Sequence, residues 1–192
     1  MERQKIKILG IYPSVKNWGI LKGEMNRFGK INFLSFVDEK FEYFNGLTVN
    51  NNYEMISRKI SYLLDNNDSD FMMTETPFNK DINNCGEEAG IAMGILASKK
   101  MPLITTSSSS LILDLFGKST FSQEESIEWA EELFSYLDWE KDKNGKLSYS
   151  IKNKILVRTV SSVMSGISSM DFQKQVLGYW DFEKKIKNIK KK

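Results

Sequence analysis

Few of the side chains that usually run an active site are present in this 192-residue chain, which has no histidine and a single cysteine, Cys85. That removes the Ser/His and Cys/His nucleophile pairs, the usual general base and most classes of metal site. Carboxylate chemistry remains, with lysine and tyrosine beside it. Glu75 stands out among the acids because it closes the apolar run Phe71-Met72-Met73-Thr74 and Pro77 follows, so it marks the end of a short buried strand. Ser161, Ser162, Ser165, Ser168 and Ser169 crowd one helical stretch. Without a base none of them is a nucleophile, and small hydroxyls where helices pack are the simpler reading. Lys184, Lys185, Lys187, Lys190, Lys191 and Lys192 follow one another with no acid among them, a solvated tail or a track for phosphates, with Phe182, Ile186 and Ile189 as an apolar strip beside it.

The elements that must position these groups can be read from pattern. The 41 % hydrophobic share suits one soluble globular domain with its own core. No apolar run approaches a membrane span, and no signal peptide is visible. The lone Cys85 excludes a disulfide framework and suits a reducing intracellular compartment, whether cytoplasm, nucleoid or viral factory. Strands are expected over 6–11, 18–24 and 30–37, joined at Pro13 and at Asn26 to Gly29 into an antiparallel meander. A loop over 38–52 leads to a helix over 53–64, and the strand 71–75 then lies parallel to the first through a right-handed crossover.

The following helix, 86–97, carries Gly86, Gly90 and Gly94 on one bare stripe. Glycine costs about 1 kcal/mol per site in a helix interior, so three imply a packing seam, within the chain or between subunits. A strand over 102–106, a helical turn over 111–116 and a helix opened by the capping box Ser122/Glu125 come next. That helix presents Ile127, Ala130, Leu133, Phe134 and Leu137. Helices over 154–170 and from 172 to about 189 complete the chain, divided as a domain over 1–172 and a helix with basic tail over 173–192. Trp18, Trp129, Trp139 and Trp180 are read as core or interface before base-stacking platforms.

Over 5–170 the order of elements resembles the RuvC Holliday junction resolvases of the RNase H-like superfamily. Gly10-Ile11-Tyr12-Pro13-Ser14 matches the first strand's end, where the family has Asp in place of Tyr12. Asp70 to Glu75, with Phe78 beyond, matches the strand ending in the second metal-binding carboxylate. The helix 86–97 resembles one lying near the resolvase dimer interface, and 102–106 with Gly117-Lys118-Ser119 resembles the strand and loop after it. Val160 to Ile167 matches the last helix, with Ser162 and Ser165 where two aspartates would stand.

The resemblance implies a five-stranded mixed α/β sheet flanked by helices, and a site built for two Mg²⁺ ions roughly 4 Å apart that clamp attacking water and leaving oxygen. Such ions are held by carboxylates. Of four acids this chain keeps Glu75, and a neutral serine or a phenol with pKa near 10 does not replace the others. The expectation is a degenerate, metal-free site at Tyr12, Glu75, Ser162 and Ser165, with Glu75 paired to a lysine and Tyr12 filling the pocket or the core. Asp81 and Asp114 are the acids that would rebuild a Mg²⁺ site and an active junction resolvase; Asp171, at about 100° per residue, faces away from Ser162 and Ser165. The chain is then expected to bind DNA or another nucleic acid, or to serve as a subunit among protein partners, a homodimer included and a membrane excluded. Lys16, Lys80, Lys99, Lys100, Lys118 and the terminal lysines are its candidate phosphate contacts.

Overall fold

The computed structural model describes residues 5–13, 17–40, 49–75, 87–107, 115, 117 and 122–176. Strands β1 (Lys5–Pro13), β2 (Asn17–Asn26) and β3 (Ile31–Lys40) form the expected meander, each a few residues longer than the pattern suggested. Asn26 Oδ1 accepts from the Phe28 and Lys30 amides at 2.9 and 3.1 Å, and Gly29 takes a positive φ of 80°, so the β2–β3 turn is held by the residue types that favour it. Helix α1 (Val49–Asp65) starts inside the stretch read as loop, and β4 (Phe71–Glu75) returns parallel to β1. Helix α2 (Glu87–Ala97) and β5 (Leu103–Thr106) repeat the crossover, giving one sheet of order β3-β2-β1-β4-β5. Helices α3 (Gln123–Leu133) and α4 (Ile151–Ser168) follow, and 170–176 are helical after a break at Ser169.

The alternation of a strand divides the core in two. On one face Leu9, Ile11, Ile20 and Met72 meet Ile60 and Leu64 of α1 and Leu96 of α2. On the other, Ile8, Leu21, Phe71 and Met73 meet Ile127 of α3 and Leu156, Val160 and Val163 of α4. Close approach of α4 to the sheet depends on missing side chains. A Cβ at Gly10 would collide with Val163 and one at Gly19 with Thr159, and one at Gly166 would lie 2.8 Å from Met73 Sδ. Gly10 and Gly19 on the strands and Gly166 on the helix let α4 lie diagonally across β2, β1 and β4.

Both long helices on this face are capped by serine. Ser122 Oγ accepts from Glu125 N at 3.1 Å while Glu125 Oε2 accepts from Ser122 N at 2.8 Å, the expected reciprocal box. Ser150 Oγ accepts from Asn153 N at 3.2 Å, starting α4 three residues before the sequence pattern placed it. Ile127, Ala130, Phe134 and Leu137 are buried as expected, whereas Leu133 is half exposed and turns away from the core. Trp18 and Trp139 are buried and Trp129 packs against the core; Trp180 lies outside the described residues. Past α4 the core continues through Phe172, edge-to-face with Phe71 at 5.1 Å, and Val176.

Candidate functional site

Parallel pairing of β1 with β4 runs from Ile8↔Phe71 to Ile11↔Thr74, so Tyr12 and Glu75 each lie one residue beyond the last pair, at adjacent carboxyl ends. They share the sheet face of Gly10 and Met73, the face that α4 covers. Glu75 is buried, with 3 % of its side chain exposed. A buried carboxylate needs a compensating charge and donors. Arg158 of α4 supplies the charge and one donor, its Nη2 donating to Glu75 Oε1 at 2.6 Å, while Oε2 is a buried acceptor without a hydrogen bond among the described residues. The guanidinium carbon also sits 5.6 Å from the centroid of the Tyr12 ring, within range of a cation–π contact. Tyr12 and Glu75 are thus joined through one arginine. The expected lysine is replaced by a group whose planar fork suits a carboxylate and an aromatic face together.

The spacing of α4 brings the serines to the same place. Arg158, Ser162 and Ser165 are four and three residues apart, so they fall on one stripe of the helix surface. Both serines are buried, and Gly166 beside them rests on Met73, two residues before Glu75. Ser162 Oγ donates to the Arg158 carbonyl at 2.8 Å, a back-bond that holds the hydroxyl on its own helix. Four positions picked out by sequence, Tyr12, Glu75, Ser162 and Ser165, therefore come from two strand ends and the helix stripe that crosses them.

This donor set does not suit a divalent metal. Mg²⁺ requires an octahedron of hard oxygens with carboxylate charge, and the single carboxylate of the site among the described residues already pairs with a guanidinium. Among the described residues no group of three or more His, Cys, Asp or Glu side chains is arranged to hold a metal ion. Asp171 is exposed and lies beyond the end of α4, so the helical spacing does not carry to it, while Asp81 and Asp114 lie outside the described residues.

Several proposed phosphate contacts are placed elsewhere. Lys99 holds Asp65 at 2.8 Å with 15 % of its side chain exposed, tying the end of α2 to the end of α1. Lys99 and Lys100 follow α2 and precede β5, at the amino ends of the parallel strands and so across the molecule from Tyr12 and Glu75. In an α/β sheet the two ends of a crossover helix lie at opposite ends of the strands, so these two lysines belong to a different surface from the strand-end site. Lys16, Lys80, Lys118 and Lys184, Lys185, Lys187, Lys190, Lys191 and Lys192 lie outside the described residues, as does Gly86. Gly90 and Gly94 are exposed, and a Cβ on either would meet nothing within 4 Å, so their stripe packs against no described part of the chain.

Arg158 is the residue that sequence reading missed. The need for a counter-ion was a signal, since a buried acid requires one, but the spacing that puts Arg158 one helical turn before Ser162 does not by itself name it.

Five strands of mixed direction with helices on both faces, and a site at the carboxyl ends of β1 and β4, define the RuvC-type RNase H-like fold. Thermus thermophilus RuvC superposes with a TM-score of 0.60 at 13 % identity, over 83 % of this chain and 94 % of that one. Its complex with a Holliday junction substrate gives a TM-score of 0.60 over 92 % of that chain. The yeast mitochondrial Holliday junction resolvase Ydc2 matches at a TM-score of 0.57 and 16 % identity, over 94 % of this chain and 84 % of that one. No protein-family model and no curated protein sequence matches the chain.

Proposed function

We propose that this chain is a catalytically inactive RuvC-like protein that binds nucleic acid without cleaving it, as a subunit or scaffold of a larger intracellular assembly. The observation that carries the reading is the Arg158–Glu75 pair: the one acid of the strand-end site among the described residues is paired with a guanidinium. Tyr12, Ser162 and Ser165 are not carboxylates, the groups that hold Mg²⁺. Loss of cleavage leaves binding intact, because phosphate contacts position a nucleic acid without any metal. The solved complex of T. thermophilus RuvC with a junction supports DNA as the class of ligand. The exposed Gly90 and Gly94 of α2 support a protein partner on that helix, a second copy included.

The test is a four-way DNA junction incubated with the full chain and Mg²⁺ or Mn²⁺, followed for both retention and nicking. The reading expects a retained, uncut junction. Nicking abolished by Glu75→Gln would establish the alternative, an active resolvase whose metal site is rebuilt through Asp81 or Asp114. Failure to bind branched and linear DNA at about 50 mM salt, where phosphate contacts are strong, would leave a pure protein-interaction module.

A further inference from the structure

The stripe of α4 that carries Arg158, Ser162 and Ser165 extends one turn further toward the helix start, to Lys154. At about 100° per residue the four positions span only some 80° of the helix surface. They differ in depth. Ser162 and Ser165 are buried beneath the helix, whereas Arg158 and Lys154 are both partly exposed, so the stripe rises from the core to the surface at the carboxyl ends of β1 and β4. Ligands of open α/β sheets bind in the crevice outside those strand ends.

The Arg158–Glu75 pair is neutral as a whole and yet asymmetric. The Glu75 side chain is 3 % exposed and that of Arg158 32 %, so the arginine is the partner that solvent reaches. Glu75 below and the Tyr12 ring beside it fix the guanidinium at two points, which reduces the conformational freedom lost when it takes a ligand. An arginine offers five N–H donors in a rigid fork that matches phosphate oxygens. Lys154 adds a flexible point charge about 6 Å along the helix axis. Among the described residues Lys154 forms no ion pair, whereas its neighbour Lys152 is held by Asp138 at 2.5 Å.

We infer that Arg158 and Lys154 form a two-cation ridge on α4 that takes the phosphodiester backbone of a bound nucleic acid. The inference rests on the nucleic-acid reading and names the residues that carry it. Successive phosphates along one strand are the ligand chemistry, because two cations in line, one of them an oriented fork, fit a repeating monoanion better than an isolated ion. The ridge contacts backbone only and confers no base preference.

The experiment is the affinity of the full chain for a four-way DNA junction, measured by fluorescence anisotropy between about 50 and 200 mM NaCl. Lys154→Ala removes a partly exposed charge with little risk to the fold. Glu75→Gln/Arg158→Met removes the second cation together with its buried partner, so no uncompensated carboxylate remains. Each variant is expected to bind several-fold more weakly and to flatten the plot of log affinity against log salt by ~0.9 per lost contact. Lys5→Ala, at the far end of β1, is expected to keep the native slope. Native binding with unchanged slopes in both ridge variants overturns this inference alone. Absence of binding by the native chain overturns the nucleic-acid reading with it. Competition by polyglutamate as effective as by DNA also overturns it, because the ridge would then serve an acidic protein.

Discussion

The two ends of the central sheet hold ion pairs of the same kind in opposite surroundings. At the amino ends of the parallel strands, Lys7 pairs with Asp68 and Lys99 with Asp65, and each acid is well exposed. At the carboxyl ends Arg158 pairs with a carboxylate from which water is almost excluded. An exposed pair contributes about 0–1 kcal/mol because solvent screens it and two long side chains must be held still. A buried acid deprived of its partner costs several times more, since its charge stays where water cannot reach it. The same chemistry is therefore surface decoration at one end and a structural condition at the other.

The sharpest way to break the contrast is Arg158→Met, which keeps the aliphatic bulk and strands Glu75. Loss of about 3 kcal/mol in urea-induced unfolding is expected. The double variant Glu75→Gln/Arg158→Met should recover much of it, so the two changes are strongly non-additive. Next in size is Gly10→Ala, which pushes a methyl into Val163 and lifts α4 from β1 beside the pair; overpacking of this kind costs about 1–3 kcal/mol. Pairing it with Val163→Ala should return part of the loss. At the amino ends, Lys7→Met is expected to change stability by under about 1 kcal/mol, with no coupling beyond that to Asp68→Asn.

The smallest effect belongs to the surface of α3, where Tyr149 donates a hydrogen bond to Glu128 Oε1 at 2.9 Å. That bond, first, and the neighbouring carboxylate charges raise the Tyr149 pKa above its usual value near 10. The folded state favours the protonated phenol, so the contribution is present below about pH 10 and fades as the pH climbs through the raised value. A spectrophotometric titration should show Tyr149 ionising at lower pH in Glu128→Gln.

Much of this architecture was legible because it is written in local pattern. The meander follows from Asn26 and Gly29, β4 from its five-residue apolar run, and α3 from the reciprocal Ser122 and Glu125. The site was legible in part. Tyr12, Glu75, Ser162 and Ser165 were picked out by resemblance to a family's motifs, each carried by a few neighbouring residues. The identity of the counter-ion was not, since Arg158 lies 83 residues from Glu75 and only the crossing of α4 over β4 brings them together. The partner of Lys99 was hidden for the same reason. A lysine reads as available in sequence, and its bond to Asp65 depends on two helix ends meeting. The outward turn of Leu133 is likewise decided by packing, as its spacing fits the buried face as well as that of Ala130.

The claim on which the account turns is that a guanidinium, and no divalent ion, neutralises Glu75. Calorimetric titration of the native chain with Mn²⁺, run beside Glu75→Gln, tests it most directly. The account predicts no saturable binding that distinguishes the two proteins. Saturable binding by the native chain that disappears in Glu75→Gln would contradict it.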